Sequence, residues 1–94
     1  MTEILSDSEA DERLGTQWTR SGAVISREAE LASFMQAIEV VDRVAVLAEA
    51  ADHHPDIDIR WRTLTFRLST HSAGGLTAKD FDLAQQIDEV LAAL

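Results

Sequence analysis

The sequence predicts an α+β fold, a four-stranded antiparallel sheet with three helices packed on one face, in the order α-β-β-α-β-β-α. Three observations predict it. Apolar and polar residues alternate strictly through Ile57, Ile59 and Trp61, and again through Leu64, Phe66 and Leu68, which is the period of a half-buried strand. Between residues 33 and 51 the period becomes helical, with Phe34, Ile38, Val41, Ala45 and Ala48 on one stripe. Turn and cap residues separate the segments, and the strands fall into short antiparallel hairpins with the helices segregated from them.

Taken in order, residues 1–7 read as a loose start to a single domain spanning 1–94. Residues 8–14 read as a short helix, with Ser8 and Asp11 able to cap its first turn and Gly15 at its stop. A short strand over 16–20 carries Trp18, which reads as a packing residue. Ser21-Gly22 marks a turn into a second strand over 23–31, where Ile25, Ala29 and Leu31 share one parity with the polar Arg27. Ser33 and Gln36 form a capping box for the long helix, whose stripe Val40, Val44 and Leu47 widen. Glu39 and Arg43 pair at i,i+4 on its wet side. Pro55, the only proline, disfavours helix at His54 and separates this helix from the second hairpin. Pairing Ile57 with Leu68, Ile59 with Phe66 and Trp61 with Leu64 keeps the apolar sets on one face. A slip of one residue would turn a whole set to water. Gly74-Gly75 then bends the chain, Thr77 and Asp80 form another capping box, and the last helix buries Phe81, Ala84, Ile87 or Asp88, Leu91 and Leu94.

Composition removes several function classes. At 94 residues the chain suits one small domain with a marginal core, so self-association would help burial. A formal net charge of −9 argues against a general binder of nucleic acid or anionic membrane. No cysteine is present, so disulfides, thiol nucleophiles and thiolate metal sites are out. No apolar run is long enough to span a membrane, and the acidic N-terminus is no signal peptide, which leaves the cytoplasm as the expected location.

The chemistry lies in two short segments, His53-His54-Pro55-Asp56 and Thr70-His71-Ser72-Ala73-Gly74-Gly75, which hold all three histidines. Extending the expected register outward sets His54 opposite His71, with His53 on the loop that enters the hairpin. Imidazole donates and accepts protons near neutrality, its unperturbed pKa being about 6.5. Three rings at one end of a hairpin therefore suit acid–base work. Glu49, one helical turn before His53, suits orientation of an imidazole. Three histidines could also ligate zinc, but His53 and His54 are adjacent and project differently, without the i,i+4 spacing of helical ligand pairs, so no metal is expected. Gly74-Gly75 lacks the phosphate-loop pattern and reads as a turn.

Glu49-x-x-x-His53-His54-Pro55, an aromatic at Trp61, Thr70-His71, Gly74-Gly75-Leu76-Thr77 and Lys79-Asp80 together resemble the pterin-4a-carbinolamine dehydratase family over most of the chain. The resemblance implies the same α+β fold. It also implies a lyase that dehydrates 4a-hydroxytetrahydropterin to quinonoid dihydropterin and water, in tetrahydrobiopterin recycling, with no cofactor. It makes His53, His54 and His71 the catalytic set, with His53 and His71 as the acid–base pair and His54 positioning the ring. Glu49 and Asp80 tune charge, and Lys79 and Asp80 border the pterin pocket. Pro55 belongs to the motif, and Trp61 stands where the family has an aromatic that could stack on the ring. Thr70 and Ser72 are candidates, on geometry, for the pterin's amide-like edge. The expected partners are a pterin and further copies of the chain in a homodimer or homotetramer. Two other readings stand beside this one: a non-enzymatic binding module of the same fold, and a dehydratase-like protein acting on another pterin, as in molybdopterin metabolism.

Overall fold

A computed structural model describes residues 3–94 of the chain. Its elements are α1 (Asp7–Arg13), β1 (Thr19–Ser21), β2 (Val24–Glu30), α2 (Phe34–Ala51), β3 (Asp56–Arg60), β4 (Thr63–Leu68) and α3 (Ala78–Ala92). The four strands form one antiparallel sheet in the order β1-β2-β4-β3. The α+β class and the element order are those the sequence predicts.

Alternation decides which face is covered. Across β2, β4 and β3 the register aligns Ile25 with Leu68, Arg27 with Phe66 and Ile57, and Ala29 with Leu64 and Ile59. Ile25, Leu64, Phe66 and Leu68 on this face are buried against the helices. Burying each such side chain fully contributes about 1.5–3 kcal/mol. The opposite face carries Ser26, Glu28 and Glu30, Thr63, Thr65 and Arg67, and Asp56, Asp58 and Arg60, so it remains in water.

The second hairpin sits two residues away from the expected register. Ile57 pairs with Phe66 and Ile59 with Leu64, so Trp61-Arg62 form the turn. A displacement of two keeps every side chain on its own face, so the hydrophobic pattern cannot distinguish the two pairings. Both hairpins use a two-residue connection whose first residue has positive φ, Gly22 at 59° and Trp61 at 52°. Glycine takes that conformation at little steric cost, whereas a bulky side chain there is strained. Instead of closing the core, Trp61 is 71% exposed, with the Arg62 guanidinium 4.5 Å from its ring centroid.

Other expectations shift as well. Residues 1–2 of the expected loose start lie outside the described residues, but residues 5–7 are ordered by contacts. The Leu5 N–H donates to the Leu76 carbonyl at 2.8 Å, and Ser6 with Glu9 makes the capping box of α1 in place of Ser8 and Asp11. On β1, Arg20 grips α1 through Asp11, with Nε to Oδ1 at 2.6 Å and Nη2 to Oδ2 at 3.1 Å. Those bonds hold the Asp11 carboxyl below the usual carboxylate range and raise Arg20.

In α2 the buried stripe is Ala37, Val40, Val44 and Ala48, while Phe34 and Ala45 are exposed. The helix is thus rotated from the stripe expected for it. In α3 Phe81, Ala84 and Ile87 are buried as expected, whereas Leu94 lies past the helix end and is exposed. Arg27 occupies an apolar-parity position because it ion-pairs with Asp88 of α3, which also accepts from the Trp18 indole N–H at 2.9 Å.

The end of α2 aims the histidines. Asp52 takes a left-handed conformation (φ 49°, ψ 43°), its N–H bonding back to Glu49 and Ala48. The His53 N–H donates to the Ala48 carbonyl at 3.0 Å. These are the reverse bonds of a helix-terminating Schellman turn, with an aspartate where glycine is commonest. Asp52→Val should therefore cost about 1–2 kcal/mol, and Asp52→Gly should not. Urea unfolding of the three proteins measures the difference, and equal midpoints for valine and wild type would contradict the strain assigned to this residue.

Candidate active site

The two histidine segments are joined by a buried carboxylate rather than by strand register. β3 begins at Asp56 and β4 ends at Leu68, so strand pairing stops short of both segments. Continuing the observed register would set Ser69, not His71, opposite His54. The expected juxtaposition of those two rings by pairing therefore does not occur.

Asp80 makes the connection. It lies in the first turn of α3, with no exposed surface. Its Oδ1 is 2.6 Å from His53 Nε2. Its Oδ2 accepts from the Thr70 hydroxyl at 2.7 Å and from the Thr77 N–H at 3.0 Å. The Thr70 and Thr77 hydroxyls are 2.8 Å apart. Thr70 is 3% exposed, Thr77 0% and His53 8%, so four polar groups satisfy one another inside an otherwise apolar core. A buried carboxylate is tolerated where several donors and the positive end of a helix meet it.

His71 follows Thr70 directly. Thr70 and Gly75 form an isolated bridge around the turn, and Gly74 takes φ 76°. Both His71 and Ser72 are exposed there. His54 is exposed too, its Nε2 2.5 Å from Oε1 of Glu49, one turn back on α2. Pro55 is half-buried beside it, and Lys79 is exposed next to Asp80.

Not every expected site residue is near this cluster. Trp61 is at the far tip of the hairpin, separated from His54-Pro55 by the length of β3, about 17 Å for five residues. It is not placed to stack on a molecule held by the histidines. Thr70 is present but turned inward, its hydroxyl committed to Asp80 and Thr77 rather than offered to solvent. Thr77 is a participant that no sequence pattern marks as part of the site. Its role as a helix cap was legible, but its burial against Thr70 was not, because the cap pattern says nothing about what lies behind it.

A cleft of about 480 Å³ runs beside α3, lined by Arg13, Trp18, Phe81, Gln85 and Asp88 among others, and no histidine lines it. His54 and His71 are exposed, and His53 is buried. Among the described residues, no three His, Asp or Glu side chains converge as metal ligands would, and no helix is long and apolar enough to cross a membrane.

Comparison with known proteins identifies the family and the fold. Residues 3–90 match the family described as pterin 4 alpha carbinolamine dehydratase. A Roseiflexus castenholzii protein provisionally named pterin-4-alpha-carbinolamine dehydratase is 61% identical over 93 residues, covering 97% of this chain and all of its own. A Nocardia farcinica protein with the same provisional name is 63% identical over 91 residues, covering 95% of this chain and 96% of its own. Among solved structures, a transcriptional coactivator/pterin dehydratase from Brucella melitensis superposes with a TM-score of 0.90 at 27% identity, over 94% of this chain and 98% of its own. A pterin dehydratase-like protein described as a RuBisCO assembly factor in the alpha-carboxysome superposes with a TM-score of 0.64 at 18% identity, over 78% and 84% of the two chains, a likeness of fold.

Proposed function

The chain belongs to the pterin 4 alpha carbinolamine dehydratase family, and from that premise we propose that it dehydrates 4a-hydroxytetrahydropterin to quinonoid dihydropterin and water, as in tetrahydrobiopterin recycling. One observation carries the reading. A buried carboxylate grips His53 on one side and, through Thr70, the segment bearing His71 on the other.

The reaction has two proton requirements. The departing 4a-hydroxyl needs a proton, and ring N5–H must lose one. Imidazoles are suited to both because their protonation changes near neutral pH. In this reading His53 and His71 exchange the protons. His54 positions the ring and is itself oriented by Glu49. Ser72, Lys79 and Pro55 border the pterin. Asp80 and Thr70 act from behind, through His53 and the turn. The chain works in the cytoplasm as a homodimer or homotetramer, which would cover the open edge of β3, where Ile59 is 41% exposed.

The test is stopped-flow dehydration of freshly made 4a-hydroxytetrahydropterin by wild type and His71→Ala. His71 is exposed, so the substitution should leave the circular dichroism spectrum intact. The rate should fall about a hundredfold or more. A His71→Ala protein as fast as wild type would remove the catalytic role and leave the binding-module reading in its place.

A further inference from the structure

We propose that His53 accepts the substrate proton through Nδ1, its Nε2–H tautomer being fixed by a buried relay of Thr77, Thr70 and Asp80. Only the identity of the proton donor rests on the dehydratase reading. For an ionised Asp80, the tautomer follows from counting hydrogens.

An ionised carboxylate only accepts hydrogen bonds, and a hydroxyl carries one hydrogen. Thr70 gives its hydrogen to Asp80 Oδ2, so the 2.8 Å bond between the two hydroxyls must be donated by Thr77. Oδ2 also receives the Thr77 N–H. Oδ1 is left facing His53 Nε2 at 2.6 Å, and that nitrogen has to supply the hydrogen. The lone pair of the neutral ring is then on Nδ1. Among the described residues Nδ1 has no hydrogen-bond partner, and it is not among the side-chain atoms sealed from solvent without one. It is the nitrogen a ligand can reach, although His53 as a residue is 8% exposed.

The proton count closes. Nδ1 takes the proton from ring N5, and the N5–H electron pair becomes the second N5–C4a bond. The C4a–O bond breaks, and the hydroxyl leaves as water with a proton from a protonated imidazole of the same site. The His53 imidazolium keeps its Nε2–H on Asp80, which stabilises the charge. Thr70, Thr77 and Asp80 are positioning residues here, acting through the ring.

Asp80→Asn makes a sharp test. Two donors converge on the Oδ2 position, so the amide oxygen belongs there and the NH₂ turns toward His53. Nε2 would then have to accept, and the ring hydrogen would move to Nδ1. Carbon and nitrogen NMR shifts of selectively labelled His53 distinguish the tautomers at a pH where the ring is neutral. The wild type should show Nε2–H and Asp80→Asn should show Nδ1–H, with dehydration slowed about a hundredfold or more. A wild-type ring carrying hydrogen on Nδ1 would overturn the assignment, and that measurement needs no variant to fold. A ring that switches tautomer in Asp80→Asn while dehydration stays at the wild-type rate would overturn the role of Nδ1. Failure of the dehydratase reading would register separately, as a wild-type rate in His71→Ala.

Discussion

Asp80→Ala should lose about 3–5 kcal/mol of folding free energy, the usual consequence of removing one partner from a buried charged network. The carboxylate is fully buried and is the acceptor for three groups. Alanine would leave the Thr70 hydroxyl, the Thr77 N–H and the His53 ring facing a void too apolar to replace those bonds. Each unsatisfied buried donor costs about 1–3 kcal/mol. The carboxylate half of the α3 capping box is lost in the same step, because the Thr77 N–H is bonded to Asp80. Single domains are typically stable by about 5–15 kcal/mol in total, so this variant should sit near its unfolding threshold. Urea unfolding followed by helical circular dichroism measures the loss. A change under about 1 kcal/mol would mean that the network is not the buried, mutually satisfied cluster described above.

Phe66→Ala should be as damaging for a different reason. Phe66 is fully buried in the middle of β4, paired with Arg27 on one side and Ile57 on the other. Removing a ring from such a site costs about 3–5 kcal/mol through lost transfer energy and the cavity left behind. For a domain of this size each kcal/mol moves the melting temperature by roughly 4–8 °C. Phe34→Ala is the informative control. The helical stripe read from sequence puts Phe34 on the buried face, but it is 47% exposed. Its replacement should change stability by no more than about 0.5 kcal/mol. Similar losses at both phenylalanines would restore the expected stripe and contradict the observed rotation of α2.

These variants separate what is local from what is not. Most elements were legible because their signals lie within a few residues: the alternation around Phe66, the Thr77–Asp80 box and the Glu39–Arg43 pair, observed at 2.9 Å. The site residues were legible as types, since imidazoles beside Pro55 and Gly74 stand out in the chain. Their partners were less so. Arg27 breaks the apolar parity of β2 in the sequence, and its reason, the ion pair with Asp88, lies 61 residues away. Trp61 looked like a core closer because the period-2 pattern has no way to tell pairings two residues apart.

By itself, the sequence determined the α+β class, the order of seven elements, the covered face of the sheet and the two segments that carry imidazole. Period and capping chemistry act over one turn or one pleat, so they survive without knowledge of the rest of the chain. Tertiary structure alone decided the hairpin register, the rotation of α2 and the meeting of His53 and Thr70 on Asp80. The Asp80 contacts join residues 10 and 27 positions apart, and the register and helix rotation depend on packing of whole faces. There the free energies of alternatives differ by shape and desolvation, which no local pattern records.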